Sequence, residues 1–269
     1  MNSPEEINSF EELIELKSIS ENHFTAVSPK YIWGRVYGGQ VVAQALNAAI
    51  RTVDEKYFVH SLHAYFIRGG TSDEPIRYEV DRLRNGRSFV TRRVVAMQTS
   101  GAILNLSASF QIDEHGPNIQ VHSLPDSLPQ PEDLPSDSWT TIMERKAVPD
   151  GVIPNGHGVW IRLNGERAGD QNLSELGLVY ASDDVPFDAA VRLHPKFDGN
   201  WNTEASQTFF SASLDHTVWF HQRSNPYEWQ FHHHTGVVHM GNRGLATGAV
   251  YSRNGLYLAT VTQEILQRL

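Results

Sequence analysis

Apolar positions along the chain fall into two similar series separated by one polar stretch. The first begins at Ser9-Phe10-Glu11-Glu12, a capping-box pattern, after which Phe10, Leu13, Ile14 and Leu16 follow at near-helical spacing. This predicts a short amphipathic helix over 9–17, whose role is packing. An aromatic approach, Tyr31-Ile32-Trp33-Gly34-Arg35-Val36-Tyr37, then leads to Gly38-Gly39-Gln40. Residues 41–50 are apolar nearly all round and carry Ala43, Ala45, Ala48 and Ala49. A helix without a broad polar face is a buried one, and small side chains let a sheet approach it closely. Period-two alternation takes over afterwards and predicts strands over 60–68, 76–83, 88–97 and 102–111, with a hairpin turn at Asn85-Gly86. One buried helix followed by antiparallel strands predicts a sheet curled around a helix.

The pattern breaks over 113–138, where Pro117, Pro125, Pro129, Pro131 and Pro135 stand among Asp, Glu and Ser. This reads as a linker, too rich in proline for a helix and too polar for a core. The second series repeats the first. Tyr180-Ala181-Ser182-Asp183 takes the place of Tyr37-Gly38-Gly39-Gln40, and 185–193 takes that of the buried helix, with Pro186 tolerated in its first turn. Strands are predicted over 211–221, 228–234, 246–252 and 257–263, the last two joined by an Asn254-Gly255 turn. Ser61 lies 50 positions before Gln111, and Ser213 lies 50 before Gln263. A fused tandem duplication of class α+β is expected, with one unit over 1–112, the linker over 113–138 and a second unit over 139–269.

Bulk properties narrow the function. At 269 residues the chain can hold two units that each bury a core. A formal charge of −9 argues against nucleic acid as a partner, although a local basic patch could still hold an anion. With no cysteine in the chain, disulfides, thiolate metal sites and a cysteine nucleophile are excluded. No apolar run reaches the roughly 18–20 residues of a membrane span, and the acidic N-terminus does not read as a signal peptide. A soluble, cytoplasmic protein is expected. The final Gln267-Arg268-Leu269 only half resembles a peroxisomal tripeptide, since Gln stands where a small residue is needed.

Comparison of the two halves locates the candidate chemistry. The first offers Gln40, Ser61 and Gln111; the second offers Asp183, Ser213 and Gln263. Only the second has a carboxylate at the helix start, and a carboxylate can orient or deprotonate water where an amide cannot. Ser213 and Gln263 add a hydroxyl and an amide able to hold a water or a substrate oxygen. Free N–H groups at the start of the following helix are expected to polarise a carbonyl there. The plainer reading makes Asp183 an N-cap and the other two ordinary strand-end residues. Ser213-Leu214-Asp215-His216 holds the residue types of a serine triad, but strand alternation places Ser213 and His216 on opposite faces, and no G-x-S-x-G elbow is present. His232-His233-His234, with His216, His221 and His239, lacks metal-ligand spacing and reads as sheet histidines. Arg77, Arg82, Arg84, Arg87, Arg92 and Arg93 read as an anion patch or as a solvated strand face.

These residues resemble the type II acyl-CoA thioesterases. In the first half the resemblance rests on Val36-Tyr37-Gly38-Gly39-Gln40-Val41-Val42-Ala43-Gln44-Ala45, Val59-His60-Ser61-Leu62-His63-Ala64-Tyr65-Phe66, Arg82-Leu83-Arg84-Asn85-Gly86-Arg87-Ser88-Phe89 and Ala108-Ser109-Phe110-Gln111. In the second it rests on Tyr180-Ala181-Ser182-Asp183, Ser213-Leu214-Asp215-His216, Trp219-Phe220-His221 and Thr262-Gln263-Glu264. The resemblance implies a double hotdog fold and hydrolysis of acyl-CoA to fatty acid and CoA, with no cofactor and no metal. It carries the catalytic Asp onto Asp183, the hydroxyl residue onto Ser213 and the terminal-strand Gln onto Gln263. One active site per chain is then expected, with acyl-CoA as substrate. A homo-oligomer, a dimer or a dimer of dimers, is expected because exposed edges and faces of such sheets pair. The alternative from another class is a non-catalytic acyl-CoA or lipid-binding protein of the same fold. A hotdog dehydratase would need a His beside a carboxylate at a helix start, and neither Gln40 nor Asp183 has one next to it in sequence.

Overall fold

The computed structural model describes residues 7–125, 127–153, 156–166, 173–197 and 209–268. In chain order the first half runs α1 (Phe10–Ile14), β1 (Lys17–Ser20), β2 (His23–Ala26), α2 (Gly38–Ile50), β3 (Tyr57–Phe66), β4 (Ile76–Asn85), β5 (Phe89–Gln98) and β6 (Gly101–Ile112). The second runs β7 (Met143–Ala147), β8 (His157–Leu163), α3 (Leu173–Ser182), α4 (Asp184–Val191), β9 (Phe210–Ser213), β10 (Asp215–Phe220), β11 (Gln230–Met240), β12 (Arg243–Ser252) and β13 (Tyr257–Arg268).

Every strand pairing among the described residues is antiparallel, and the order β1-β2-β4-β5-β6-β3-β10-β13-β12-β11-β8-β7 is a palindrome in which each of these strands of one half has its counterpart in the other. The halves join where β3 pairs with β10, with His63 opposite Thr217, Ala64 opposite His216 and Tyr65 opposite Asp215. Adding the 152-residue offset between Ser61 and Ser213 turns each of these pairs into another, so a local two-fold axis passes through Ala64–His216. Helix α2 packs on β4, β5 and β6, and α4 packs on β11, β12 and β13. This is the double hotdog arrangement of class α+β. Among the described residues no helix is long and apolar enough to cross a membrane.

Helix α2 is buried from Gly39 to Ala49, but it is not uniformly apolar. Gln40, Gln44 and Asn47 form a buried polar stripe at helical spacing, and buried amides need partners. Gln44 Nε2 donates to the Leu13 carbonyl at 2.5 Å and Asn47 Nδ2 to the Ile14 carbonyl at 2.8 Å. These carbonyls end α1, so α2 caps the shorter helix and fixes it to the core. Helix α1 stops at Ile14, earlier than predicted, and Leu16 is buried beyond its end. The capping box is present as Ser9 Oγ accepting from the Glu12 N–H at 3.2 Å.

Three features were not foreseen. Strands β1, β2, β7 and β8 extend both ends of the sheet, where short segments leave little alternation to read. The proline-rich stretch does more than connect, since Pro131 and Leu134 are buried and Trp160 Nε1 donates to the Pro129 carbonyl at 2.9 Å. It covers an apolar cluster of Trp160, Trp229, Phe231 and Tyr251. Finally, the strand predicted over 211–221 is divided into β9 and β10 by a bulge at Leu214. Three residues separate Ser213 from Thr217, while two separate their partners Ile265 and Thr262 on β13.

The two helix systems meet at Gly39. A methyl group there would fall within overlap distance of the Tyr180 carbonyl oxygen and 2.6 Å from the Tyr37 ring, whose hydroxyl donates to that same carbonyl at 2.9 Å. Gly39→Ala is therefore expected to lower stability by about 1–3 kcal/mol through overpacking. Urea denaturation of wild type and variant checks this; equal midpoints would show that α2 and α3 can separate freely.

Candidate functional site

Asp183 occupies the single residue between α3 and α4, with helical backbone angles of φ −76 and ψ −18, and makes no side-chain cap hydrogen bond. The helix expected to open freely at this point is instead preceded directly by α3, so Asp183 stands at the N-cap position of α4 without capping it through its side chain, and α4 does not present an open first turn. The backbone N–H that faces the carboxylate and favours its charged form comes from the other half of the molecule, from Gly39 in the first turn of α2. Gly38 is equally confined, since a methyl there would lie 2.7 Å from Asp183 Oδ2.

The three residues singled out in the second half converge. Gln263 projects from β13 toward α4, fully buried, and its Nε2 donates to Asp183 Oδ1 and to Ser213 Oγ, the latter at 3.2 Å. The first-half residues set against them do not converge, and the equal 50-residue spacing does not carry through the sheet: Ser61 lies opposite Ser109 and Ser213 opposite Ile265, so Gln111 matches Gln267 and not Gln263. Gln40 accepts from Tyr31 and donates to Ser28 Oγ at 2.6 Å, whereas Gln111 donates to the exposed Glu114. The first-half amide is thus a structural group inside a satisfied network.

Asp183 and Asp184 are neighbours in sequence but have different surroundings. Asp184 and Asp188 share one face of α4, and both are bound by Arg145 of β7, with Nε to Asp184 Oδ2 at 2.6 Å and a terminal nitrogen to Asp188 Oδ2 at 2.5 Å. Arg145 also reaches Asp137, and Trp139 Nε1 donates to Asp184 Oδ1 at 2.9 Å. This clamp neutralises the buried carboxylates and fixes the start of α4. Among the described residues Asp183 has no such cation. Burial lifts its pKa from 3.8 to about 7; the Gln263 amide and the Gly39 N–H oppose the rise, and nearby Asp184 adds to it. A carboxyl poised near neutrality can exchange a proton with water.

Sequence alternation misplaced one residue. The Leu214 bulge reverses the facing of everything after it, so His216 lies on the same side as Ser213. His216 is fully buried and comes within 4.0 Å of Asp183 Oδ1 through Nδ1, while Nε2 bonds Ser182 Oγ at 2.9 Å. Burial drives its pKa down to about 3, so the ring is neutral. Ser213 Oγ accepts from Gln263 while His216 Nε2 bonds Ser182, so the described residues form no serine triad here.

The other candidates resolve into structure. His232 and His234 face one side of β11 with rings 6.4 Å apart, and among the described residues no group of three or more His, Asp or Glu side chains is arranged to hold a metal ion. Arg92 is buried against Thr52 and Asn85, Arg93 pairs with Asp81, and Arg82 bonds Asn22. These three arginines therefore form no open anion patch.

With the geometry in place, the chain can be set beside known proteins. Residues 28–111 match the family described as the acyl-CoA thioesterase N-terminal domain, and residues 121–267 match the acyl-CoA thioesterase C-terminal domain. The chain is 31% identical to acyl-CoA thioesterase 2 of Haemophilus influenzae, with 97% of this chain and 98% of the relative covered. The crystal structure of an acyl-CoA thioesterase II from Mycobacterium marinum superposes with a TM-score of 0.82 at 33% identity, over 96% of this chain and 97% of that one. A hot dog fold protein from Alicyclobacillus acidocaldarius, 18% identical, has the same fold with a TM-score of 0.77 over 97% of this chain and 98% of that one.

The raised Asp183 pKa has a consequence for stability that holds whatever the site does. Between the unfolded value of 3.8 and the folded value of about 7, the native state keeps a proton that the unfolded chain has lost. Native stability contributed by this group therefore falls as pH rises through that window. Asp183→Asn removes the dependence, so the variant should gain on wild type by about 2–3 kcal/mol between about pH 5 and about pH 8. Denaturant melts at the two pH values measure the gap.

Proposed function

The chain belongs to the acyl-CoA thioesterase family, and on that premise we propose that Asp183, Ser213 and Gln263 form its active site. The reaction is hydrolysis of acyl-CoA to a free acid and CoA. The observation that carries the site reading is the Gln263 amide, which bonds Asp183 and Ser213 at once and gathers both into one buried place.

In this reading Asp183 takes a proton from water as the water oxygen bonds to the thioester carbonyl carbon. The carbonyl π electrons move onto oxygen, and N–H groups in the first turn of α2, the helix end nearest Asp183, hold that charge. Collapse of the tetrahedral species breaks the C–S bond, and the proton on Asp183 passes to the departing thiolate. Ser213 and Gln263 orient the water and the carbonyl. No acyl-enzyme forms. Because Gln40 stands where Asp183 would be in the first half, each chain has one site. The proposal takes 1–112 and 139–269 as the two units, joined by 113–138. It also takes the chain to act in the cytoplasm as a homo-oligomer; the exposed Tyr65 and Trp219 on the adjoining strands β3 and β10 favour pairing of this face.

Release of free CoA from short- to long-chain acyl-CoAs, compared in wild type and Asp183→Asn, tests the reading. Turnover is expected to fall by roughly a hundredfold or more in the variant. In wild type the rate should fall on the acid side of about pH 7, where burial keeps Asp183 protonated. Binding of acyl-CoA with no turnover at any chain length would point to a non-catalytic binding protein. Equal turnover in both proteins would remove Asp183 from the site.

A further inference from the structure

We propose that His216 is a positioning residue of this site, which holds through Nδ1 the second hydrogen of the water attacking the thioester. The proposal rests on Asp183 being the base that takes the first.

The proposal assigns the tautomer. Ser182 Oγ has two acceptors in reach of its single proton, the Val179 carbonyl at 3.1 Å and His216 Nε2 at 2.9 Å. With that proton given to the carbonyl, the oxygen accepts from Nε2–H and a lone pair is left on Nδ1. Nδ1 is buried and has no hydrogen-bond partner among the described residues, and an orphan of this kind is costly unless a water or substrate group meets it. Gln263 Oε1 is a second buried polar atom of the site with no partner among them.

The distance identifies the missing partner. His216 Nδ1 and Asp183 Oδ1 are 4.0 Å apart, too far for a direct hydrogen bond. A single water about 2.8 Å from each subtends roughly 90° between them, near the angle between its own two O–H bonds. Both hydrogens are then held by acceptors. The oxygen lone pair is left free toward the carbonyl carbon, which is the orientation that attack requires. One hydrogen is transferred to Asp183, while the other stays on the nucleophile and becomes the hydroxyl hydrogen of the product acid.

Two amide substitutions separate this role from simple packing. His216→Asn places a side-chain oxygen near the Nδ1 position but cannot reach Ser182. His216→Gln reaches Ser182 but withdraws the acceptor from the Nδ1 position. Single-turnover and steady-state kinetics on one acyl-CoA, with Asp183→Asn alongside and urea melts on each protein, compare them. His216→Gln is expected to lose roughly tenfold to a hundredfold in kcat, the worth of one hydrogen bond to a charged or reacting group, with KM changed by less than about threefold. His216→Asn is expected to keep kcat within about fivefold of wild type. A folded His216→Gln with wild-type kcat, or a His216→Asn no better than His216→Gln, overturns the proposal while Asp183→Asn remains inactive. Full turnover in Asp183→Asn would overturn the reading of the base, and the proposal with it.

Discussion

Two backbones, those of Gly39 and Tyr180, pass so close that no side chain fits between them, and the site depends on that approach. It brings the first turn of α2 against the joint between α3 and α4, so an N–H from one half of the duplication faces a carboxylate in the other. The approach is fixed elsewhere as well. Pairing of β3 with β10 about the Ala64–His216 axis sets the separation of the two units, and the Tyr37 hydroxyl bonded to the Tyr180 carbonyl holds the helices at contact. Asp183 therefore belongs to the junction rather than to one unit. Glycine is required at two successive positions because carbonyl, ring and carboxylate atoms already occupy the space where Cβ atoms would stand.

The duplication is symmetric in topology and asymmetric in its interior. Around α2 the buried polar groups are satisfied: Gln40, Gln44 and Asn47 all bond backbone or side-chain partners. Around α4 the same is not true among the described residues, since His216, His232, His234 and Gln267 have buried polar atoms without partners there. A satisfied network offers a ligand no free polar atom, whereas orphaned donors and acceptors are where water or substrate can enter. This contrast supports placing the proposed site in the second half independently of the exchange of Gln40 for Asp183.

Most of the fold was legible because its signals are periodic: the all-round burial of 41–50, the alternation of the long strands, and the resemblance of the two halves. Asp183, Ser213 and Gln263 do meet, but the equal spacing that singled out Gln263 was a coincidence of length, since strand pairing matches Gln111 with Gln267. What could not be read were features set by single residues or by tertiary cover. One extra residue at Leu214 reverses the facing of His216, and alternation counts through a bulge without registering it. Helix α3 ahead of Asp183 has no counterpart ahead of Gln40, so the repeat gave no reason to expect it. The segment around Pro131 and Leu134 is polar in composition, yet it buries two of its few apolar residues over Trp160. The doublet Gly38-Gly39 was visible, but its reason was not, because the nearest atoms, Asp183 Oδ2 and the Tyr180 carbonyl, lie in the other half of the chain.

The same logic explains why Asp183 rather than Asp184 is suited to be a base. Burial raises the pKa of both carboxyls, but at Asp184 the Arg145 cation opposes the rise by stabilising the charged form. Arg145 is committed to Asp184, Asp188 and Asp137, and this commitment keeps α4 in place without touching Asp183. What surrounds Asp183 is polar but uncharged: an amide, a backbone N–H and, at 4.0 Å, an imidazole kept neutral by burial. A protonated His216 would pair with Asp183 and draw its pKa back toward the ordinary carboxylate range, removing the property that burial creates. The neutrality of His216 is thus a condition of the basicity of Asp183, and both arise from one cause, the exclusion of solvent from the joint between the two halves.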